Sequence, residues 1–458
     1  MDFLKKGLLT FGFDIKQILH RIKIRDFSGN TGLAIKNSIF HFSTITIAKL
    51  GSLIFTIILA RMLLPELFGL YNLAISTTLL FSTISNLGIG ETIITFVSRE
   101  LSKRKNRIAK AYLVYLGKIK FFLLFISALF LLFSAKFIAE NYYKKPLFLG
   151  LLAGVLFLIC FEIVNFLSVI LQTSNIFKGI FQKEIIIQFS RLVLVPLVIL
   201  LSLKYSIEDE KILFYIILAL SVSYFFAAIF MIFYIKDIIF LKSKEEKLNK
   251  KRIKESNKFL FITAIFALSG MFFSFIDRIM LGRFVTAEFI GYYSAAINIV
   301  SGISSLIGFA IVLLPIFSRI KGKKLEEGFK KSLIINFFLG FFLFLVIIFL
   351  SSIIIKIIYG PSYNLSINIL RLFSPLLMIL PLIGVYSVYF ISLKKPKVVA
   401  MWLFVSTILN IILNYILITS FLKKGELLAV FGAALAGVLS QAFCLFGLII
   451  SKKKRIKI

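Results

Sequence analysis

The chain is poor in the residues that build most catalytic and metal centres. Among 458 residues there are two cysteines, Cys160 and Cys444, both inside apolar runs, which is neither a disulfide framework nor a metal-ligand spacing. Two histidines, His20 and His41, stand apart from each other, so a histidine-based metal or acid–base site is not expected. Acidic residues number 21 against 54 Lys and Arg. Glu208, Asp209 and Glu210 are adjacent on a short polar turn, and neighbours in sequence do not make a paired-carboxylate site. No Walker-type glycine loop is present, which argues against direct ATP drive. No cofactor and no metal are expected.

What the chain has instead is apolar length. It is 59% hydrophobic, carries 53 Phe and has a mean hydropathy of +0.99. Long uncharged apolar runs recur throughout, the mark of an all-α integral membrane protein rather than a β-barrel, whose strands would alternate over about ten residues. Twelve spans of bilayer length are expected, at about 38–60, 70–90, 119–138, 147–171, 186–204 and 211–235, then 259–281, 291–316, 332–356, 367–393, 398–422 and 428–450. The domain reading is a basic amphipathic leader (1–37) lying on an anionic surface, an N-lobe (38–235), a basic linker (236–258), a C-lobe (259–450) and a basic tail (451–458).

The formal charge of +33 would suggest nucleic acid in a soluble chain. Here the leader, alternate loops and tail hold 39 Lys and Arg, the opposite loops with the span ends beside them hold 10, and 5 lie deeper within spans. That asymmetry predicts a plasma-membrane protein with both termini in the cytoplasm, binding anionic lipids and no nucleic acid. The opposite loops are short, leaving no room for a catalytic domain, so a membrane-embedded enzyme is not expected.

The stretch Leu59–Ala74, LARMLLPELFGLYNLA, returns 222 positions later as Leu281–Ala296, LGRFVTAEFIGYYSAA. Leu59/Leu281, Arg61/Arg283, Glu66/Glu288, Gly69/Gly291, Tyr71/Tyr293 and Ala74/Ala296 are identical at that offset. A period of half the chain is no solenoid and predicts two related six-helix lobes of one transporter-like bundle.

These segments, followed by SNLGIGETIITFVSREL in the first half and by LLPIFSRI, IYGPSYNLSINILRLFSP, SLKKPKVVAMWLFVSTILNIILNYILI and FGAALAGVLSQ in the second, resemble the polysaccharide or O-antigen flippases (Wzx-type) of the multidrug/oligosaccharidyl-lipid/polysaccharide exporter superfamily. The likeness runs over about residues 35–450. It implies two pseudo-symmetric six-helix lobes around a central cavity, and export of a lipid-linked oligosaccharide for polysaccharide biosynthesis by alternating access. It also leaves room for H+ or Na+ as coupling ion and for contact with glycan-assembly enzymes. An ion-coupled drug/cation antiporter of the same superfamily is the alternative; a peptidoglycan-precursor flippase would usually have fourteen spans.

Intramembrane charges are where such chemistry would sit, since each is costly unless solvated or paired. Lys49, mid-way along the first span, is expected either to hold an anionic headgroup or to pair with Glu162 in span four. Arg61 and Arg283, the repeated pair, and Arg278 are further headgroup candidates. Asp277 is the expected coupling-ion ligand or proton acceptor, with Glu162 the other carboxylate in play. Arg191 and Arg371 read mainly as snorkelling residues. Pro196, Pro315, Pro375 and Pro381 mark possible gating kinks, and the Gly-rich run in span twelve reads as a close-packing face.

Overall fold

In the computed structural model, residues 29–453 are described except 237, 245, 308–316, 318, 319 and 321. The expected leader helix around residues 15–23, Pro315 and the end of the tail fall outside the described residues. The rest is a bundle of apolar helices. They are α1 (Gly29–Asn86), α2 (Ile89–Ser102), α3 (Asn106–Lys136), α4 (Phe148–Thr173), α5 (Phe177–Lys204) and α6 (Asp209–Ile235) in the first half. The second half has α7 (Lys250–Phe284), α8 (Ala287–Ile307), α9 (Lys323–Ile358), α10 (Ser366–Phe373), α11 (Leu376–Ser392), α12 (Pro396–Leu422) and α13 (Glu426–Lys453).

Read as crossings, the described helices give about ten to twelve spans, and the end of the expected eighth, 308–316, falls outside the described residues. α1 makes the first and, after a kink, the second together with α2; α10 and α11 together make the tenth. The kink is at Leu64, whose φ of 60° and ψ of 173° lie far from helix. Pro65 causes it, because a proline forces the preceding residue out of the α region and has no N–H to continue the ladder. At the equivalent place in the second half the break is complete. Val285 is extended, and α8 begins behind Thr286, whose backbone N–H donates to Glu426 Oε2 at 2.9 Å. That carboxylate sits at the positive end of α8.

Boundaries differ from expectation in several places: α1, α3, α5 and α9 begin ahead of the expected 38, 119, 186 and 332, and α2 carries the second crossing on to Ser102. The third crossing continues beyond Lys136 as a π-helical turn, Phe137–Tyr143. α7 begins at Lys250, so the latter part of the segment read as a linker is helix, continuous with the seventh crossing.

The packing is uneven along the membrane normal. On the face carrying the Leu64 kink, one core draws on both halves: Phe68 from α1, Tyr292 and Tyr293 from α8, Tyr363 from the short turn Pro361–Tyr363 and Phe373 from α10. Tyr363 lies at its centre, edge-on to Phe68 at 6.1 Å and to Tyr292 at 6.2 Å, with its hydroxyl donating to Ala60 O at 2.8 Å. On the opposite, lysine-rich face the cores are separate. One is built around Phe96, Tyr112 and Met231 of the first half, the other around Phe329, Tyr386 and Val398 of the second. Apart from α7, whose Phe259 packs on Phe96 of the first half, the halves share one core at the kink face and keep separate cores toward the basic face.

Candidate functional site

The seam between the halves is organised by the repeat. A Cβ on Gly69 would strike the carbonyl oxygen of Ala287, and a Cβ on Gly291 would strike that of Pro65. Pro65 and Ala287 are themselves 222 positions apart, so the two contacts are one contact seen from either half. Only glycine permits this approach of α1 to the start of α8.

The repeated arginines close the same face, each reaching into the other half. Arg61 Nε donates to Ile358 O at 2.7 Å and its Nη2 to Ile357 O, at the C-terminal end of α9. Arg283 Nη1 donates to Asn141 O at 3.0 Å and Tyr142 O at 2.6 Å, at the end of the third crossing. α9 is the third crossing of its own half, so the pattern is reciprocal. Guanidinium groups suit helix ends because the last carbonyls have no helical partner and carry the negative pole. Lys145 adds a third tie, donating to Gly282 O at 2.7 Å.

Below this closure lie the intramembrane charges. Lys49 Nζ donates to Ser305 O of α8 at 2.5 Å. The alternative pairing of Lys49 with Glu162 is not what forms. Glu162 is fully buried inside the first half, bonded to Lys120 Nζ and to Ser82 Oγ. Lys120, on α3, escaped sequence reasoning because only the rotational phase of α3 against α4 reveals which lysine meets Glu162.

Arg191 donates to Gln188 Oε1 and lies 4.8 Å over the Phe55 ring; Gln188 in turn donates to Glu184 Oε1 at 2.6 Å. Arg278 Nη2 donates to Asn298 Oδ1 at 2.9 Å. Among the described residues, the Nε of each of these two arginines is buried without an acceptor. Tyr71, from the repeat, is near enough to both guanidinium groups to feel both charges. Arg371, by contrast, is exposed and bonds Ser351 Oγ at 2.8 Å within its own half.

Asp277 faces neutral donors. Tyr293 Oη donates to its Oδ2 at 2.7 Å and Asn414 Nδ2 to its Oδ1 at 2.6 Å. Asn410 and Asn414 are fully buried, and the side-chain oxygens of both lack donors among the described residues. The two asparagines had a readable signal: they are four apart, on one face of an otherwise apolar helix. One carboxylate with amide oxygens beside it is a donor set for a small hard cation or a proton. Among the described residues no group of three His, Cys, Asp or Glu gathers for a metal.

A two-half helical bundle, fused at one face by a pseudo-two-fold seam and charged within it, is the transporter fold of the multidrug/oligosaccharidyl-lipid/polysaccharide exporter superfamily. Within it the chain belongs to the polysaccharide biosynthesis protein family, which it matches over residues 34–321. The MatE family also matches, over residues 263–416. An uncharacterized membrane protein of Methanocaldococcus jannaschii is 24% identical over 353 residues, 73% of this chain and 68% of that protein. Among solved structures, an inward-facing multidrug resistance MATE family transporter superposes with a TM-score of 0.70 at 13% identity, covering 92% of this chain and 99% of the other. The lipid II flippase MurJ, in its inward closed conformation, superposes at 0.66 and 20% identity, covering 92% and 87%.

Proposed function

We propose that the chain is a flippase for a polyprenyl-(pyro)phosphate-linked oligosaccharide, moving it from the cytoplasmic to the outer leaflet for cell-surface glycan assembly. The observation that carries this reading is the charge of the seam. Among the described residues Lys49 bonds a carbonyl of the other half, while Arg278 and, within the first half, Arg191 each keep a buried N–H without an acceptor. A cationic seam of this kind suits a phosphate-bearing headgroup, with the lipid tail left in the bilayer.

In this reading the lysine-rich face lies in the cytoplasm of the plasma membrane, with both termini, as the charge bias favours. The present closure at the kink face then makes this the inward-facing form. Lys49 engages the headgroup first, with Arg278 deeper. Arg61 and Arg283 exchange their carbonyl acceptors for the anion as the outer face opens. Asp277 takes H+ or Na+ as coupling ion. Glu162 is left out, since Lys120 already neutralises it. Glycan-assembly enzymes would supply and receive the substrate, and the chain itself performs no covalent chemistry.

A drug/cation antiporter is supported by one specific feature, Asp277 among neutral donors. Proteoliposomes carrying a fluorescent polyprenyl-pyrophosphate oligosaccharide separate the two. Translocation by the native chain, lost in Lys49→Ala and partly kept in Lys49→Arg, supports the flippase. Ion-driven efflux of an organic cation with no lipid movement sinks it in favour of the antiporter.

A further inference from the structure

The seam does not use the long basic start of α7. Between residues 242 and 258 there are eight Lys and Arg against three Glu. Two of those carboxylates are already engaged: Glu255 by Arg99 at 2.9 Å, and Glu246 by Arg252 at 3.8 Å. Glu255 faces the first half together with Asn257, which accepts from Tyr115 Oη at 3.0 Å. Buried Ser256 and Phe259, whose ring packs on that of Phe96 at 5.7 Å, mark the side of α7 held against the first half, and Asn257 lies at the edge between that side and the lysines.

Lys250, Lys254 and Lys258 project from the other side. They are exposed, have no bonded partner among the described residues, and form an open surface with Ile253 and Asn257. Spacing of four residues stacks them along one stripe. Continuing that stripe into the membrane brings Phe261, 69% exposed, and Ile265, 38% exposed. At 100° per residue all five fall within an arc of about 80°. Three cations at interface depth, followed on the same face by exposed apolar side chains, match a headgroup above an acyl chain. A free phosphate or a nucleic acid would account for the lysines and leave Phe261 and Ile265 without a role. No acid occupies the first turn of α7, so the helix pole adds to the positive field.

We propose that this stripe binds an anionic phospholipid of the leaflet on the basic face, its headgroup on Lys250, Lys254 and Lys258 and one chain along Phe261 and Ile265. The site is separate from the transport seam and does not rest on the flippase reading. A lipid seated there clamps α7 from the side opposite Ser256 and Phe259.

The test uses the full chain carrying Phe261→Trp, in vesicles that mix phosphatidylglycerol and phosphatidylcholine with one or the other brominated on its chains. Quenching of the new indole reports which lipid touches it, and the constant signal of Trp402 is subtracted using the parent chain. Brominated phosphatidylglycerol should be preferred by roughly tenfold, since each basic side chain at the surface adds attraction. The preference should fall to near unity in Lys250→Gln/Lys254→Gln/Lys258→Gln and survive in the corresponding triple Arg variant. Equal quenching by both lipids, or a preference unaffected by the Gln substitutions, overturns the site. Loss of the preference in inorganic phosphate but not in sodium chloride of equal ionic strength would also overturn it, showing an anion site with no lipid selectivity.

Discussion

Gly69 and Gly291 stand 222 positions apart and each takes up the space where the other half's backbone carbonyl lies. The seam at the kink face is therefore a pseudo-symmetric close contact in which neither glycine tolerates a side chain. Gly69→Ala or Gly291→Ala should force the two halves apart there, and the double variant more so. Spin labels at Glu66 and Lys356, both exposed and on opposite halves, would read the separation after Cys160 and Cys444 are replaced. A distance distribution unchanged by both substitutions would show that the contact does not hold the closure.

Arg61 and Arg283 complete the same closure, each at the helix end of the opposite half. Hydrogen bonds from a charged donor are worth about 1.5–3 kcal/mol each when made in a protected place, and less where water competes. Arg61→Ala and Arg283→Ala should each shift the Glu66–Lys356 distances toward a longer population, with the double variant shifting furthest. Arg61→Lys should recover little, because an ammonium does not reproduce a fork set on two adjacent carbonyls. Single variants that leave the distances untouched would reduce these residues to ordinary interfacial arginines.

The buried pair of Lys120 and Glu162 makes a different demand. Removing one partner leaves an uncompensated charge in a low-dielectric interior, which costs about 3–5 kcal/mol, whereas removing both can be nearly neutral. Lys120→Met should lower the unfolding temperature of the detergent-solubilised chain sharply. Lys120→Met/Glu162→Leu should recover most of that loss. A double variant no better than Lys120→Met would mean that the pair is not the unit of stability.

Much of this architecture is legible before any coordinates. The repeat announces the two halves because residues on a symmetric contact face the same environment twice; Gly69/Gly291 and Arg61/Arg283 are identical for that reason. Apolar run length places the crossings, since the bilayer sets a minimum that packing does not alter. Partners inside the bundle are another matter. Lys120 and Lys49 both look like buried lysines in sequence, and only helix rotation decides that Lys120 meets Glu162 while Lys49 meets Ser305. The continuous α1 was also hidden, because its bend lies at Leu64 before Pro65, whereas attention falls naturally on prolines inside the apolar runs.

Under the proposed coupling role, Asp277 should bind a monovalent cation together with Asn410 and Asn414. A ligand that binds only the folded chain at about a hundred times its Kd stabilises by about 2.7 kcal/mol. Sodium, with choline as the control, should therefore raise the unfolding temperature of the native chain and fail to do so in Asp277→Asn. Protons as the coupling ion would instead show as a pH-dependent turnover that Asp277→Asn flattens, with no sodium effect. Neither response in a chain that still flips lipid would remove Asp277 from the mechanism.

Lys145 gives the closed face a pH dependence. It lies in the turn between the third and fourth crossings, where burial drives its ammonium down from 10.5 to about 8, Glu426 pulling it back up and Arg283 pushing it further down. When the halves separate, the side chain regains water and its ordinary value. The proton is then held more tightly in the open form, so closing releases it. Closure should accordingly become more favourable as pH rises from about 8 toward about 10.5, and show no dependence on this group below about 8, where both forms are charged. The Glu66–Lys356 distances measured at about pH 7 and about pH 9.5 should move toward the short population at the higher value. Lys145→Met removes the titrating group and should remove the shift. A shift of equal size in that variant would assign the titration to another residue.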